Sequence, residues 1–191
     1  MRHVISALVM NEPGVLASVA GLFSARGFNI DSLVVGRTEN PDLSRMTVVC
    51  SGDDNTLEQI RKQLAKLVPV VKVRDYKGAL YVERDLCLVT VSVGPEHRSE
   101  VLEIVNLFRG RVVDVAKASL MVEIAGTEEK IEAMVELLKP YGIKELARTG
   151  VIAMARGTQQ AKEDAAEKAQ QPGGKRKRSL DAPPAAALPP S

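Results

Sequence analysis

The sequence predicts an α+β fold of two tandem ferredoxin-like βαββαβ domains, followed by a disordered C-terminal tail. The order strand, helix, strand, strand, helix, strand occurs twice, in units of roughly 75 residues each. Beyond Gly157 the apolar periodicity stops, and the chain becomes rich in Ala, Pro, Gln and charged residues. We therefore expect domains at residues 1–77 and 78–157 and a tail at residues 158–191.

The first unit begins with an apolar strand at residues 2–10 and continues with a helix at residues 14–26. Apolar residues recur in this helix at helical spacing and predict one buried face, and Gly27 is typical of a helix end. Asp53 and Asp54 precede the second helix, where acidic side chains cap free amides and favour the helix dipole. The remaining predicted elements are two strands, a helix and a strand, at 28–37, 44–51, 55–67 and 70–76.

The second unit repeats this order. A long apolar strand is predicted at residues 79–93, and Gly94 and Pro95 break it. The helix that follows has apolar residues at helical spacing, namely Val101, Ile104, Val105 and Phe108. The remaining elements are two strands at 111–116 and 119–125, a last helix that begins near Thr127, and a closing segment at 142–157.

Composition argues against recognition of nucleic acids. Six of the 26 basic and four of the 24 acidic residues lie in the tail, so the two domains carry no excess charge for a polyanion. Aromatic residues make up only 3% of the chain and Trp is absent, which disfavours stacking on single strands. The tail sequence KRKR, at residues 175–178, is typical of a nuclear-localisation or nucleic-acid patch, and also of a merely solvated charge run.

Cys50 and Cys87 both lie in apolar, strand-like runs, and the sequence has no CxxC motif or Cys/His cluster. This pattern predicts buried free thiols, without a metal or a disulfide, and fits a reducing compartment. No apolar run approaches the roughly 18 residues of a membrane span, and the N-terminal apolar run is too short for a signal peptide. We therefore expect a soluble protein of the cytoplasm.

The first candidate functional residues lie where the first strand passes into the first helix, in the sequence NEPGVL at residues 11–16. A helix that begins at Pro13 or Gly14 directs its free amides and its dipole towards the end of the strand, where an anionic group would bind. Pro13 loses no hydrogen bond there, and Gly14 leaves room for a close approach. Asn11 offers both a donor and an acceptor.

A second group of candidates, Asn29 and Ile30, begins the following predicted strand. In a ferredoxin-like unit this strand starts at the far end of the first helix, so Asn11 and Asn29 would meet only across a dimer interface. Such a site would offer amides for a carboxylate, Asn oxygens for an ammonium group, and apolar walls from Val15, Leu16 and Ile30. It suits a small aliphatic amino acid. The alternative is that Pro-Gly only makes a turn, to which Asn bonds, and both interpretations remain open from the residues alone.

Five segments carry a resemblance to a known family, and they cover the chain from residue 1 to residue 157. They are NEPGVLASVAGLFSARGFNIDSLVVGRTENPDLSRMTVV (11–49), LEQIRKQLAKLVPVVKV (57–73), VERDLCLVTV (82–91), FRGRVVDV (108–115) and ELARTGVIAMARG (145–157). In this order they resemble the small, or regulatory, subunit of acetolactate synthase, whose N-terminal domain is an ACT domain. The tail departs from the compact bacterial members of that family, which usually stop near the position of Gly157.

The resemblance implies a non-catalytic protein that binds a branched-chain amino acid, usually valine, at the interface of an ACT-domain homodimer. It also implies a large catalytic partner subunit that uses thiamine diphosphate, Mg²⁺ and FAD, while this chain itself holds no cofactor. In that family the small subunit raises the partner's activity and confers feedback inhibition in branched-chain amino-acid biosynthesis. The effector-binding positions of the family match Asn11, Gly14, Val15, Leu16, Asn29 and Ile30.

Three alternatives belong to other functional classes. RNA-binding domains of the RRM type share the ferredoxin-like fold but carry aromatic residues on the central strands. The corresponding strands of this chain carry no aromatic residues at these positions, which are Val48, Val49 and Cys50 in the first unit and Met121, Val122 and Glu123 in the second. An acylphosphatase-like hydrolase needs an Arg in the loop after the first strand, and NEPG has none. The third alternative is a stand-alone ACT-type amino-acid sensor that acts on a different enzyme, and the resemblance of the second unit speaks against it.

Overall fold

The computed structural model describes residues 1–158, so the predicted disordered tail at 158–191 lies outside the described residues except for its first residue. None of the helices in residues 1–158 is long and apolar enough to cross a membrane. A 3₁₀ turn at Lys139–Tyr141 follows the last α-helix. The strands and α-helices are β1 (Arg2–Met10), α1 (Val15–Ala25), β2 (Ser32–Arg37), β3 (Leu43–Ser51), α2 (Asp54–Leu64), β4 (Val70–Asp75), β5 (Tyr81–Ser92), α3 (Arg98–Leu107), β6 (Arg111–Ala116), β7 (Ser119–Gly126), α4 (Glu128–Leu138), β8 (Ile143–Arg148) and β9 (Ile152–Ala155).

The first four strands form an antiparallel sheet in the order β2-β3-β1-β4. Because side chains alternate across a strand, Ile5, Ala7 and Val9 of β1 share one face of this sheet. Helices α1 and α2 pack on that face, where Val19 and Phe23 of α1 are fully buried. This arrangement confirms the first ferredoxin-like βαββαβ unit.

The second sheet repeats the arrangement in the order β6-β7-β5-β8. Cys87, Val89 and Val91 of β5 face α3 and α4, and Met134 and Leu138 of α4 are fully buried against them. Each sheet therefore has its own core on the side of its own two helices. The prediction of an α+β fold with two tandem ferredoxin-like domains is confirmed.

The closing segment of the second unit forms two strands, because an irregularity at Thr149 and Gly150 separates β8 from β9. Strand β8 pairs with the middle of β5, and β9 pairs with the first four residues of β5. Gly150 has a φ of +88°, a left-handed conformation that glycine adopts without the penalty of a Cβ. The positive φ of Gly150 thus allows the backbone to bend between β8 and β9, while both strands pair with β5.

Strand β2 begins at Ser32, later than the predicted start at residue 28. Gly27 has a φ of +68°, and the amide of Phe28 donates to the carbonyl oxygen of Phe23 at 3.0 Å. These features belong to the C-terminal cap of α1. The amide of Phe28 is engaged in this cap and is therefore not available for pairing with a neighbouring strand. Asn29 and Ile30 therefore lie in the loop before β2 and not in the strand.

The two domains contact each other through the face of the first sheet that lies opposite its helices. Val151 and Ala153, at the end of the described chain, pack there against Val4, Val49 and Tyr76. The hydroxyl of Tyr76 donates a hydrogen bond of 2.9 Å to the carbonyl oxygen of Ala153. The last strand of the second domain thus covers part of the first sheet.

Charged residues join the two domains at the rim of this contact. Arg2 of β1 forms an ion pair of 3.1 Å with Glu83 of β5 and one of 2.9 Å with Glu128 at the start of α4. The carboxylate of Glu128 also lies at the positive end of the α4 dipole. One guanidinium group therefore ties the first strand of the chain to both layers of the second domain.

Candidate functional site

Helix α1 begins at Val15, directly after its N-cap residue Gly14, whose φ of +85° is left-handed. Within the described residues, no side chain caps the amides of the first turn. The carbonyl oxygen of Gly14 accepts hydrogen bonds from the amide of Ser18 at 2.9 Å and from the hydroxyl of Ser18 at 3.0 Å. A Cβ at Gly14 would meet nothing within 4 Å, so the space beside this helix start is open to a small molecule.

The side chain of Asn11 anchors the loop between β2 and β3. Its amide group donates to the carbonyl oxygen of Pro41 at 2.9 Å, and its carbonyl oxygen accepts from the hydroxyl of Ser44 at 3.1 Å. The backbone amide of Asn11 donates to the carbonyl oxygen of Asp42 at 2.8 Å. A primary amide has two donor hydrogens and two acceptor positions, so Asn11 keeps hydrogen-bonding capacity for a ligand.

Asn29 is exposed and belongs to a short polar network in the loop before β2. Its side-chain amide donates to one oxygen of the Asp31 carboxylate at 2.7 Å. The hydroxyl of Ser51 donates to the other oxygen at 2.7 Å. The sequence reasoning missed Asp31 and Ser51, although an Asp two residues after an Asn is a common signal of side chains that bond to one another in a turn.

Asn11 and Asn29 lie at opposite ends of the first sheet. Asn11 bonds to Ser44, near the start of β3, whereas the Asn29 network reaches Ser51, at the end of β3. At roughly 3.4 Å per residue, these two positions on β3 are about 24 Å apart. Within one chain the structure therefore does not bring the two groups of candidate residues together.

The three apolar candidates differ in what they offer. The side chain of Val15 is buried in the core, so Val15 presents to the outside its backbone amide at the helix start. Leu16, the next residue, is 47% exposed. Ile30 is half-buried and packs against the core of the first domain. Leu16 and Ile30 are thus the two candidates with apolar surface for a ligand or a second chain.

The two ends of the sheet also differ in electrostatics. The helix start at Gly14 presents the positive end of the α1 dipole, which favours an anion. The loop at Asn29 carries the Asp31 carboxylate, which favours a cation.

The Cys50 thiol lies near this loop. Burial raises the pKa of the Cys50 thiol, and the nearby Asp31 carboxylate raises it further. In residues 1–158 no group of His, Cys, Asp or Glu side chains is arranged to hold a metal ion.

Two family models match the chain, one for each domain. The model described as the AHAS small subunit-like ACT domain matches residues 5–72. The model described as the small subunit of acetolactate synthase matches residues 84–157. Together they cover most of the two domains and stop before the tail.

Individual relatives carry the same description. The chain is 55% identical over 157 residues to the probable acetolactate synthase small subunit of Archaeoglobus fulgidus, which covers 82% of this chain and 98% of that protein. It is 51% identical over 155 residues to the acetolactate synthase small subunit of Mycolicibacterium smegmatis, with 81% of this chain and 91% of that protein covered. Among solved structures, the acetolactate synthase small subunit from Thermotoga maritima superposes with a TM-score of 0.75 at 44% identity, over 82% of this chain and 98% of that one.

Proposed function

Because the chain belongs to the family of acetolactate synthase small subunits, we propose that it is a regulatory subunit that binds valine or another branched-chain amino acid. The observation that carries this proposal is the open start of α1 at Gly14, where amides without a side-chain cap adjoin the anchored side chain of Asn11. The proposal assigns effector binding and dimerisation to residues 1–77 and the rest of the small-subunit fold to residues 78–157.

The effector's carboxylate would bind at the start of α1. The amides of Val15, Leu16 and Ala17 belong to the first turn, where no preceding residue of the helix accepts their hydrogen bonds. Together with the helix dipole they favour a negative group. The absence of a side chain at Gly14 lets the carboxylate approach the backbone.

The effector's ammonium group would bind to the Asn29 loop of a second copy. The carbonyl oxygen of Asn29 and the carboxylate of Asp31 are acceptors on the exposed surface of that loop. The aliphatic side chain of valine would then lie between Leu16 of one copy and Ile30 of the other. A site of this kind is complete only in the dimer.

The geometry of the first sheet supports a dimer that brings these groups together. Strand β2 is at the edge of the sheet, and its Val35 is 43% exposed. If two copies pair antiparallel through β2, the start of β2 in one copy lies beside the end of β2 in the other. Arg37, at that end, pairs with Ser44, which holds Asn11. The Asn29 loop of the second copy thus approaches the end of the sheet that carries Asn11.

The proposed partner is the large catalytic subunit of acetolactate synthase, which would hold thiamine diphosphate, Mg²⁺ and FAD. This chain would raise the activity of that subunit and make it sensitive to feedback inhibition in the cytoplasm. Feedback requires a coupling of only about 1–3 kcal/mol between the effector site and the partner. The alternative, a stand-alone sensor for another enzyme, leaves unexplained why the second domain matches the same family.

Titration calorimetry of the purified protein with L-valine, and with L-lysine as the control, tests the effector site. Valine has eight non-hydrogen atoms, and at roughly 0.3–1.5 kcal/mol per atom a Kd of about 1 µM to 1 mM is expected. We expect selective binding of valine at one or two sites per dimer, followed by valine inhibition of the holoenzyme reconstituted with the catalytic subunit. If valine, leucine and isoleucine bind neither to the protein nor to the reconstituted holoenzyme, the proposed effector function is wrong.

A further inference from the structure

A buried carboxylate holds the irregular segment between β8 and β9. Asp85 of β5 is only 4% exposed. One oxygen of its carboxylate accepts hydrogen bonds from the hydroxyl of Thr149 at 3.1 Å and from the amide of Gly150 at 3.0 Å. The backbone amide of Leu86 donates to the Thr149 hydroxyl oxygen at 3.1 Å. Hydrogen bonds to a charged acceptor are stronger than neutral ones, so this segment is firmly fixed to the second domain.

The same segment is in direct contact with the first domain. The amide of Val151 donates to the hydroxyl oxygen of Ser32, the first residue of β2, at 3.2 Å. The fit beside this bond is close, since a Cβ placed on Gly150 would lie 2.6 Å from the hydroxyl oxygen of Ser32 and 2.8 Å from a methyl group of Val34. The side chain of Val151 is buried in the cluster between the domains.

Ser32 is continuous with the loop that carries the proposed effector contacts. Ile30 precedes it by two residues and Asn29 by three, and Asp31 is its neighbour. The amide of Asp31 donates to the carbonyl oxygen of Val49 at 2.9 Å, which ties this loop to the central part of the sheet. A ligand that draws on the side chains of the loop therefore acts on backbone next to the contact with the second domain.

We propose that the contact of Ser32 with Gly150 and Val151 transmits effector occupancy from the first domain to the second, with Asp85 as the positioning residue that keeps Gly150 and Val151 in place. This inference rests on the proposed function and names the route by which the effector site regulates the rest of the chain. Because the two domains are closely packed at this contact, a displacement of the Ser32 backbone must also displace Gly150 and Val151. If a gap or a water layer separated the two domains there, Ser32 could move without moving the second domain.

The first test compares two glycines of the second domain with nearly the same positive φ. Gly150 and Gly142 have φ of +88° and +90°, but a Cβ on Gly142 would only touch Ser92 of its own domain at 3.7 Å. Gly150→Ala therefore adds backbone strain and a clash with the first domain, whereas Gly142→Ala adds the strain alone. Each variant is reconstituted with the catalytic subunit and assayed with and without saturating valine.

We expect the Gly150→Ala holoenzyme to keep at least about threefold more activity than wild type at saturating valine. The Kd of valine for the isolated Gly150→Ala subunit should stay within about twofold of wild type, and Gly142→Ala should be inhibited like wild type. Equal loss of inhibition in both variants would assign the effect to strain and would overturn the proposal. So would inhibition of the Gly150→Ala holoenzyme to the wild-type level.

Two milder substitutions keep the test valid if Gly150→Ala does not fold. Ser32→Ala removes only the acceptor for the amide of Val151, and we expect inhibition to weaken by about two- to tenfold with valine binding retained. Asp85→Asn keeps an acceptor for Gly150 and should retain inhibition, whereas Asp85→Ala should lose it. Unchanged inhibition in Ser32→Ala and Asp85→Ala would overturn the proposal.

Exchange of single amide hydrogens gives a readout that does not depend on catalysis. We expect valine to change the exchange rate of the Val151 amide by at least about threefold. The amide of Gly110, which bonds to Val105 within the second domain, should not respond. If valine binds and inhibits but the Val151 amide does not respond, the proposed route is wrong while the proposed function stands. If wild-type protein neither binds valine nor is inhibited, both fall.

Discussion

The hydroxyl of Tyr76 lies 2.9 Å from the carbonyl oxygen of Ala153, and this hydrogen bond joins the end of the first domain to the last strand of the second. Both residues are buried, so the bond is shielded from water. A buried carbonyl oxygen that loses its donor carries the full cost of its desolvation. The bond is therefore a measurable part of the junction between the domains.

We expect Tyr76→Phe to lower the free energy of unfolding by about 1–2 kcal/mol, because it removes the donor and little else. Urea unfolding followed by circular dichroism measures the change. Tyr141→Phe is the matched control, since the hydroxyl of Tyr141 bonds at 3.0 Å to the exposed Glu100 and its loss should lower the free energy of unfolding much less. An equal loss of stability in both variants would contradict the role of the Tyr76 bond.

We expect Gly14→Asp and Asn29→Ala to abolish valine sensitivity and to leave activation of the catalytic subunit largely intact. Gly14→Asp places a negative side chain where the carboxylate of valine would bind, and Asn29→Ala removes a polar contact to the ammonium group worth about 10- to 100-fold in affinity. Calorimetry and holoenzyme assays measure the two effects separately. Gly78→Asp controls for backbone strain, because Gly78 also has a left-handed φ, +68°, and open space around it. Loss of activation with valine inhibition preserved would refute this assignment.

We expect Val35→Lys to convert the dimer to monomers, because it puts a charge on the edge strand through which two copies would pair. Size-exclusion chromatography with light scattering measures the mass. Val71→Lys is the matched control: Val71 is 56% exposed on β4, the strand at the opposite edge of the same sheet. A dimer that survives Val35→Lys and dissociates with Val71→Lys would move the interface to β4.

We expect the contribution of Glu58 to stability to disappear in acid. Hydrogen bonds from Arg61, and then from Lys62, lower the pKa of Glu58 from 4.5 to about 2. A carboxyl with a lowered pKa stabilises the fold above its ordinary pKa, and this contribution is lost as the pH falls towards the lowered value. The difference in Tm between wild type and Glu58→Gln should therefore shrink between about pH 5 and pH 2. The exposed Glu103 gives the control Glu103→Gln, and a difference that stays constant over this range would contradict the prediction.

The order of elements follows from the sequence because it depends on local patterns. Alternating apolar residues in β1 and β5 and apolar residues at helical spacing in α1 and α4 determine which face of each element is buried. Capping and turn hydrogen bonds decide the ends of elements, and the sequence predicts these ends less well. The sequence predicts that α2 continues to residue 67, for example, but only the amide of Ala65 still makes a helical bond, to Arg61. The amides of Lys66 and Leu67 form turn bonds to Gln63 and Leu64.

The candidate site was only partly accessible from the sequence. Gly14 and Asn11 are recognisable because a strand, a Pro-Gly pair and a helix follow one another in the chain. The contact of Ser32 with Val151 joins residues that are far apart in sequence, and no local sequence pattern predicts it. The residues around Asp85 form no recognisable motif. Its hydrogen bond to the amide of Gly150 follows only from the pairing of β8 and β9 with β5.

The placement of β9 on the first sheet has a consequence for the order in which the molecule is completed. The first domain ends near Tyr76, whereas Val151 and Ala153, which cover the open face of its sheet, are synthesised roughly 75 residues later. At about 5–20 residues per second this delay is about 4–15 s, and domains fold as units during synthesis. The first domain can therefore complete its own core while one face of its sheet stays uncovered until Val151 and Ala153 have been synthesised. Strand β2 lies at the edge of the same sheet, so a second copy could pair with it before that face is closed.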